Sequence, residues 1–222
     1  MFSALAESRR AYLDSVDRLV ISEARPASRS LLDVGAGNGA RSRRIAQALG
    51  VPELVLLEPS VAMQGNGPAD AAVWTMSAED LHLVDAEFDI ITCLWNVLGH
   101  IFPSARRIEV LRQFARLLSP HGKLFVDVNH RYNARHYGVL PTAMRFLRDR
   151  VFRSETNGDV VVDWNIGGTR CSTWGHVFTH GEVRSLCLSA GLNIVKRFVV
   201  DYDSGEQRRW SMEGHLLYVL DR

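Results

Sequence analysis

Gly35, Gly37 and Gly39 stand at alternate positions directly behind the apolar run that ends Leu32-Asp33-Val34. Backbone that bare offers N–H groups and lets a ligand approach closely. The pattern suits an anionic or hydroxylated group docking where a buried strand turns into a helix. A dinucleotide fingerprint, G-x-G-x-x-G, would need its third glycine at position 40, which is Ala40; the spacing here is G-x-G-x-G. Further on, the run Leu54 to Leu57 ends on Glu58, and a polar stretch Ser77-Ala78-Glu79-Asp80 follows the next apolar run.

These three stretches, in this order, resemble the motifs of class I methyltransferases that use S-adenosylmethionine. The first reads Asp33-Val34-Gly35-Ala36-Gly37-Asn38-Gly39; the second is Glu58 with Pro59, Ser60 and Met63 in an E-x-S-x-x-M pattern; the third is residues 77–80. Residues 88–101 and 117–129 look like the fourth and fifth. The resemblance covers residues 30–128 closely and 172–220 more loosely. It implies S-adenosylmethionine as cofactor, with S-adenosylhomocysteine as its product. Glu58 would accept hydrogen bonds from both ribose hydroxyls, Ser60 would cap the following helix and Met63 would lie against the adenine. Glu79 or Asp80 would meet the adenine amino group. Gly35, Gly37, Asn38, Pro59, Ala78 and Leu94 complete the implied cofactor site, and Asp33 either touches the cofactor or only orders the loop.

Transfer from a sulfonium asks the protein to align an acceptor with the methyl carbon and to manage one proton. Acceptor residues are expected beyond the fourth and fifth strands and in the segment after them, which offer Trp95, Asn96, His100, Asn129, His130, Tyr132, His136, Trp164, Trp174 and His176. His130 is the expected general base, because it follows the fifth strand at its carboxyl end and imidazole titrates near working pH. His100 is either a second catalytic group or a brace for its loop, and Asn96 either orients the acceptor or satisfies loop backbone. Trp95, Tyr132, Trp164, Trp174 and His176 are expected against the substrate, or, for the aromatic residues of the hairpin, in its own small core. Trp95 and Asn96 occupy the place where metal-dependent catechol-type relatives carry an aspartate, so no catalytic metal is expected, although Asp127 and Asn129 lie nearby.

The elements that must position these groups alternate. Apolar spacing predicts a helix from Leu5 to Val20, then a strand at 30–34, a helix at 40–49, a strand at 53–58 and a short helix from Ser60. Strands follow at 71–76 and 88–95, a helix at 105–118 and a strand at 123–129. Such alternation predicts an α/β fold, a mostly parallel sheet with helices on both faces; the resemblance makes it Rossmann-like and seven-stranded. After Asn129 the rhythm breaks: a loop and helix, then two strands within 160–178 joined around Gly167-Gly168. Thr179 caps a helix ended by Gly191, and strands at 193–202 and 215–220 close the sheet. Residues 1–222 are read as one methyltransferase domain, with 1–29 as an N-terminal helical lid and 130–178 as a substrate-side insertion.

Lys plus Arg number 26 against 25 acidic residues, a balance that predicts neither nucleic acid nor an anionic membrane as obligatory partner. The basic stretch Arg145 to Arg153 is predicted to be an amphipathic helix with a solvated face. Cys93, Cys171 and Cys187 have no C-x-x-C spacing and suit a reducing cytoplasm, the expected location. The expected activity is methyl transfer to oxygen or nitrogen of a small molecule, by a monomer or homodimer. The alternatives are a methylase of tRNA or another macromolecule, supported only by the arginines, and an inactive cofactor-binding regulatory protein.

Overall fold

The computed structural model describes residues 7–64, 71–166 and 169–222, and of 162–166 and 169–171 the backbone alone. Leu5 and the Gly167-Gly168 turn therefore lie outside the described residues. The five residues of β1 (Ser30–Val34) are all buried, and β1 pairs in parallel with β2 (Glu53–Leu57) on one side and β4 (Phe88–Cys93) on the other. β3 (Ala72–Trp74) extends the β2 edge in parallel, and β5 (Leu118–Val128) pairs in parallel with β4. β10 (His215–Asp221) is antiparallel to both β5 and β8 (Asn193–Val200), and β8 carries the two-residue edge strand β9 (Gln207–Arg208). The sheet order is β3-β2-β1-β4-β5-β10-β8-β9. It holds the seven strands expected plus the short edge strand β9, while β6 (Asp159–Ile166) and β7 (Thr169–His176) form a separate hairpin.

Alternate side chains of the central strands feed two cores. Leu32, Val34, Ile91 and Cys93 pack toward α4 (Ser104–Leu117) and α7 (His180–Ser189), meeting Val110, Phe114, Val183 and Leu186. Leu31, Leu56 and Ile90 point the other way, toward α1 (Arg10–Glu23) and α2 (Ala40–Leu49), meeting Val16, Val20 and Ile45. The sheet is thus covered on both faces, which is why its strands read as continuous apolar runs.

Several boundaries differ from the sequence pattern; β3 and β8, for example, are shorter than expected, Ala72–Trp74 and Asn193–Val200. β4 stops at Cys93 rather than at position 95, because Trp95 and Asn96 take left-handed backbone angles, φ 58° and 60°. β5 begins at Leu118, five residues early, through an irregular stretch in which Phe88 pairs with Leu118 before Ile90 pairs with Lys123. The segment after β5 forms α5 (Ala134–Tyr137) and α6 (Val139–Val151). The outward face of α6 is not the polar one expected: Leu140, Met144, Leu147 and Val151 are all exposed, while Thr142 and Asp149 are buried.

Candidate active site

The glycine loop lies where β1 ends, at the carboxyl edge of the sheet beside the point at which strand order reverses, the place where open α/β sheets bind ligands. Gly35 has φ +76°, and a Cβ there would meet the Val97 side chain at 2.5 Å. Gly37 has φ +54° and a different surrounding: its Cβ direction is open except for Met63 Cε at 3.9 Å. Only a residue without a side chain leaves that space free. The Gly37 N–H donates to Glu58 Oε2 at 3.0 Å and the Ser60 N–H to Glu58 Oε1 at 2.9 Å. Glu58 is buried, yet it borders a cavity of about 1400 Å³ together with Gly37, Asn38, Pro59 and Met63.

Asp33 also borders this cavity, but its oxygens are engaged by the hydroxyls of Ser42 at the start of α2 and of Thr92 in β4, the latter at 2.6 Å. Burial raises its pKa against those two hydrogen bonds. Its place in the structure is that of a tie between β1, α2 and β4. In the stretch after β3, Ser77, Ala78 and Glu79 line the cavity. Asp80 does not: its Oδ2 receives the Ser77 hydroxyl at 2.8 Å and the Ser77 N–H at 3.2 Å, closing a capping box on a 3₁₀ turn. Of the two residues offered by the sequence, Glu79 is the one that borders the cavity, its carboxylate 3.7 Å from Arg106.

At the end of β4, two successive non-glycine residues with positive φ are unusual, and a bulky one costs strain that its neighbours must offset. Asp127 of β5 supplies the offset. Its Oδ2 accepts from the Trp95 N–H at 3.0 Å and its carbonyl from the Asn96 N–H at 3.1 Å. Its Oδ1 takes the buried Tyr12 hydroxyl of α1 at 2.5 Å. Trp95 and Leu94 consequently border the cavity. Asn96 borders it too, but its side chain is spent on backbone, donating to the His176 carbonyl at 3.1 Å and accepting from the Asn129 N–H at 3.0 Å.

The structure does not bring His130 to the cavity lining. Its backbone bridges to Phe178, its ring faces the Ser211 backbone, and its Nδ1 is buried without a partner among the described residues. Burial drops its pKa to about 4. Tyr132 is likewise elsewhere, donating to Asp149 at 2.9 Å and packed on Phe146. The hairpin explains two further residues by its alternation. Thr173, Gly175 and Val177 face the cavity, so Trp174 and His176 turn away. Trp174 packs on Phe102, and His176 is fully buried between Asp159 at 2.7 Å and Glu182 at 2.6 Å. The Trp164 side chain lies outside the described residues.

Three imidazoles do line the cavity: His100, His136 and His215. His100 Nδ1 donates to the Trp174 carbonyl at 2.9 Å, which leaves Nε2 as the atom with the lone pair. His215 Nδ1 accepts the His130 N–H at 3.0 Å, so in its neutral form the proton sits on Nε2 and faces outward as a donor. Burial, with His136 and His130 nearby, lowers the His215 pKa well below its ordinary value, and burial beside Arg9 lowers that of His136. Tyr202 joins them, its ring 4.6 Å from His215, 5.0 Å from His136 and 5.1 Å from Tyr12, with the Arg9 guanidinium 4.3 Å above it.

Sequence reasoning missed Tyr202 and His215. The signal was topological rather than local: β10 runs antiparallel, so its first residue, His215, pairs with Val200 at the carboxyl edge of the parallel strands. Among the described residues no group of three or more His, Cys, Asp or Glu side chains could hold a metal ion.

A mostly parallel sheet with this glycine loop after β1 and a buried carboxylate after β2 places the chain among the nucleotide-binding α/β proteins. The chain belongs to the methyltransferase-domain family, whose model matches residues 5–197. It is 30% identical over 103 residues to a dTDP-3-amino-3,6-dideoxy-alpha-D-glucopyranose N,N-dimethyltransferase of Streptomyces fradiae, a match covering 46% of this chain and 40% of that protein. It is 35% identical over 116 residues to a ubiquinone biosynthesis O-methyltransferase of Xanthomonas axonopodis pv. citri (strain 306), covering 48% and 45%. The chain thus spans less than half the length of these two curated relatives. A solved S-adenosylmethionine-dependent methyltransferase from Clostridium acetobutylicum superposes with TM-score 0.70 at 12% identity, covering 99% of this chain and 97% of that one. The sugar N-methyltransferase KedS8 of Streptoalloteichus sp. superposes with TM-score 0.63 at 20% identity, covering 100% and 93%. Among the described residues no helix is long and apolar enough to cross a membrane.

Proposed function

We propose that the protein transfers a methyl group from S-adenosylmethionine to an oxygen or nitrogen of a small-molecule acceptor. The supporting observation is the continuity of one cavity, from Gly37, Glu58 and Glu79 at one end to Trp95, His136, Tyr202 and His215 at the other. The two curated relatives are named for an amino-sugar nitrogen and for O-methylation in ubiquinone biosynthesis, which fits an acceptor of that size.

The residues present fit the cofactor. The space over Gly37 is open to it, and the Glu58 carboxylate, now held by two backbone N–H groups, is of the acceptor chemistry that ribose hydroxyls need. Glu79 offers an acceptor for an amino group, and Met63 an apolar, polarisable face. When bound, the cofactor supplies a methyl group on a positively charged sulfur, an electrophile that needs no metal activation. The acceptor then has to be held and its proton received. Trp95 and Tyr202 supply flat apolar walls, and the His215 Nε2–H supplies a donor to a polar group of the acceptor other than the atom that is methylated. His100, with Nδ1 tied to Trp174, holds its lone pair on Nε2 and is the proton acceptor in this reading, in place of His130.

The test is transfer of tritium from methyl-labelled S-adenosylmethionine to panels of amino sugars, phenols and extracted metabolites, with purified tRNA and protein as parallel acceptors. Label in a low-mass product is the expected result. Label recovered only in RNA or protein would replace the acceptor class. Cofactor binding with no transfer to any acceptor would favour a regulatory protein.

A further inference from the structure

The outward side of α6 is the largest departure from the sequence expectation. Leu140, Met144, Leu147 and Val151 follow one another at intervals of four, three and four residues, the spacing of one helix stripe, and are 71%, 65%, 65% and 65% exposed. Phe152, directly after the helix, is 71% exposed. Thr142 and Asp149, seven positions apart on the opposite side, are the buried contacts to the body of the protein. An apolar stripe of this length in water marks a surface that meets something.

The charges beside the stripe say what that something is. Arg148, Arg150 and Arg153 flank it; Arg145 is half-buried on the Arg131 carbonyl and the Tyr137 ring, and the one acid of the helix, Asp149, is turned inward to Tyr132, Arg131 and Arg148. The exposed side of α6 therefore holds cations and apolar groups and no carboxylate. A second copy meeting this face across a twofold axis would bring the same cations, with Glu155, just past the helix, as the exposed acid beside them. Nucleic acid would match the charge but has no apolar plane to cover the leucines. An anionic lipid surface supplies both, headgroup charge for the guanidinium groups and acyl boundary for the stripe.

We propose that α6 is a peripheral docking helix for anionic lipid bilayers, lying in the interface with Leu140, Met144, Leu147 and Val151 down and the exposed Arg150 and Arg153 reaching up to the headgroups. The near-neutral balance of the whole chain does not oppose this, because screening limits the attraction to charges within about 10 Å of the surface. α6 follows Gly138 immediately after the cavity-lining Tyr137, so the docked helix is joined to the acceptor end of the cavity. The proposal does not rest on methyl transfer.

Sedimentation with vesicles tests it without any acceptor. The protein is expected to pellet with vesicles of phosphatidylcholine mixed with phosphatidylglycerol and to bind phosphatidylcholine alone at least about tenfold more weakly. Leu140→Glu combined with Leu147→Glu should weaken binding at least about tenfold, and Arg150→Gln combined with Arg153→Gln should weaken it and flatten its salt dependence. All four positions are at the surface, so both variants should keep the wild-type melting temperature. Failure of the wild type to pellet with the anionic vesicles would overturn the proposal, as would equal binding by the leucine variant. A dimer in sedimentation velocity that the leucine variant converts to monomer, without vesicle binding by either, would reassign the face to contact between copies.

Discussion

Glu58 is held by the N–H groups of Gly37 and Ser60, so a single carboxylate both shapes the loop and borders the cavity. Glu58→Ala is expected to weaken S-adenosylmethionine binding at least about tenfold, since hydrogen bonds to a charged acceptor contribute about 1.5–3 kcal/mol each. Calorimetric titration checks it, and an unchanged dissociation constant would remove Glu58 from the site. Histidines divide by burial in the same way. His100→Ala should lower turnover by about 10² to 10⁴ with cofactor affinity retained, whereas His130→Asn should leave turnover near wild type. His130 has its own measurable signature. Its pKa falls from 6.5 to about 4 on burial, so between those values the unfolded chain binds the proton that the folded chain refuses. Its contribution to stability is intact above about 6.5 and is lost as pH falls toward about 4. Melting temperature recorded against pH should therefore drop less steeply over that window in His130→Asn than in wild type; parallel curves would show that the ring titrates normally.

At the scale of elements, α1 is fastened to the site by one buried contact, the Tyr12 hydroxyl on Asp127, whose other oxygen holds the strained Trp95 N–H. Tyr12→Phe should cost about 1.5–3 kcal/mol in denaturant unfolding, the range for a hydrogen bond to a charged group. Loss of less than about 0.5 kcal/mol would mean water replaces the hydroxyl. Most of the scaffold was legible because β1 and α2 carry their period and their caps in adjacent residues: 30–34 and 40–49 begin and end where the pattern places them. The glycine loop and Glu58 were legible for the same reason, being local. Tyr202 and His215 were not, since their meeting depends on β10 running antiparallel between β5 and β8. His176 and Trp174 were misplaced because the strand's two faces could not be told apart until the hairpin docked. Its fixed face puts Gly175 toward His100 and His176 into the Asp159–Glu182 clasp. The outward stripe of α6 was hidden too, as burial of Thr142 and Asp149 inverted the side that polarity alone would have turned inward.

At the scale of the whole molecule, α1, the carboxyl edge of the sheet and the hairpin border a shared cavity, and the ligand that fills it should stabilise the folded state selectively. A ligand present at a hundred times its dissociation constant adds about 2.7 kcal/mol. For a chain of this size about 1 kcal/mol moves the melting temperature by about 2–4 °C, so S-adenosylhomocysteine at that excess should raise it by about 5–10 °C. NAD and NADP are expected to leave it unchanged. Both carry ribose hydroxyls that Glu58 could receive, so the discrimination has to come from the loop. The G-x-G-x-G turn ends at Gly39 and Ala40 already begins α2; the dinucleotide fingerprint admits alanine at that third position, so Ala40 does not supply the discrimination. The loop's open position is over Gly37, beside the thioether of Met63, which suits an uncharged thioether ligand better than a doubly charged bridge. Differential scanning fluorimetry with the three ligands decides the matter. Equal stabilisation by NAD, or none by S-adenosylhomocysteine, would show that the glycine loop binds a different class of nucleotide despite the fold around it.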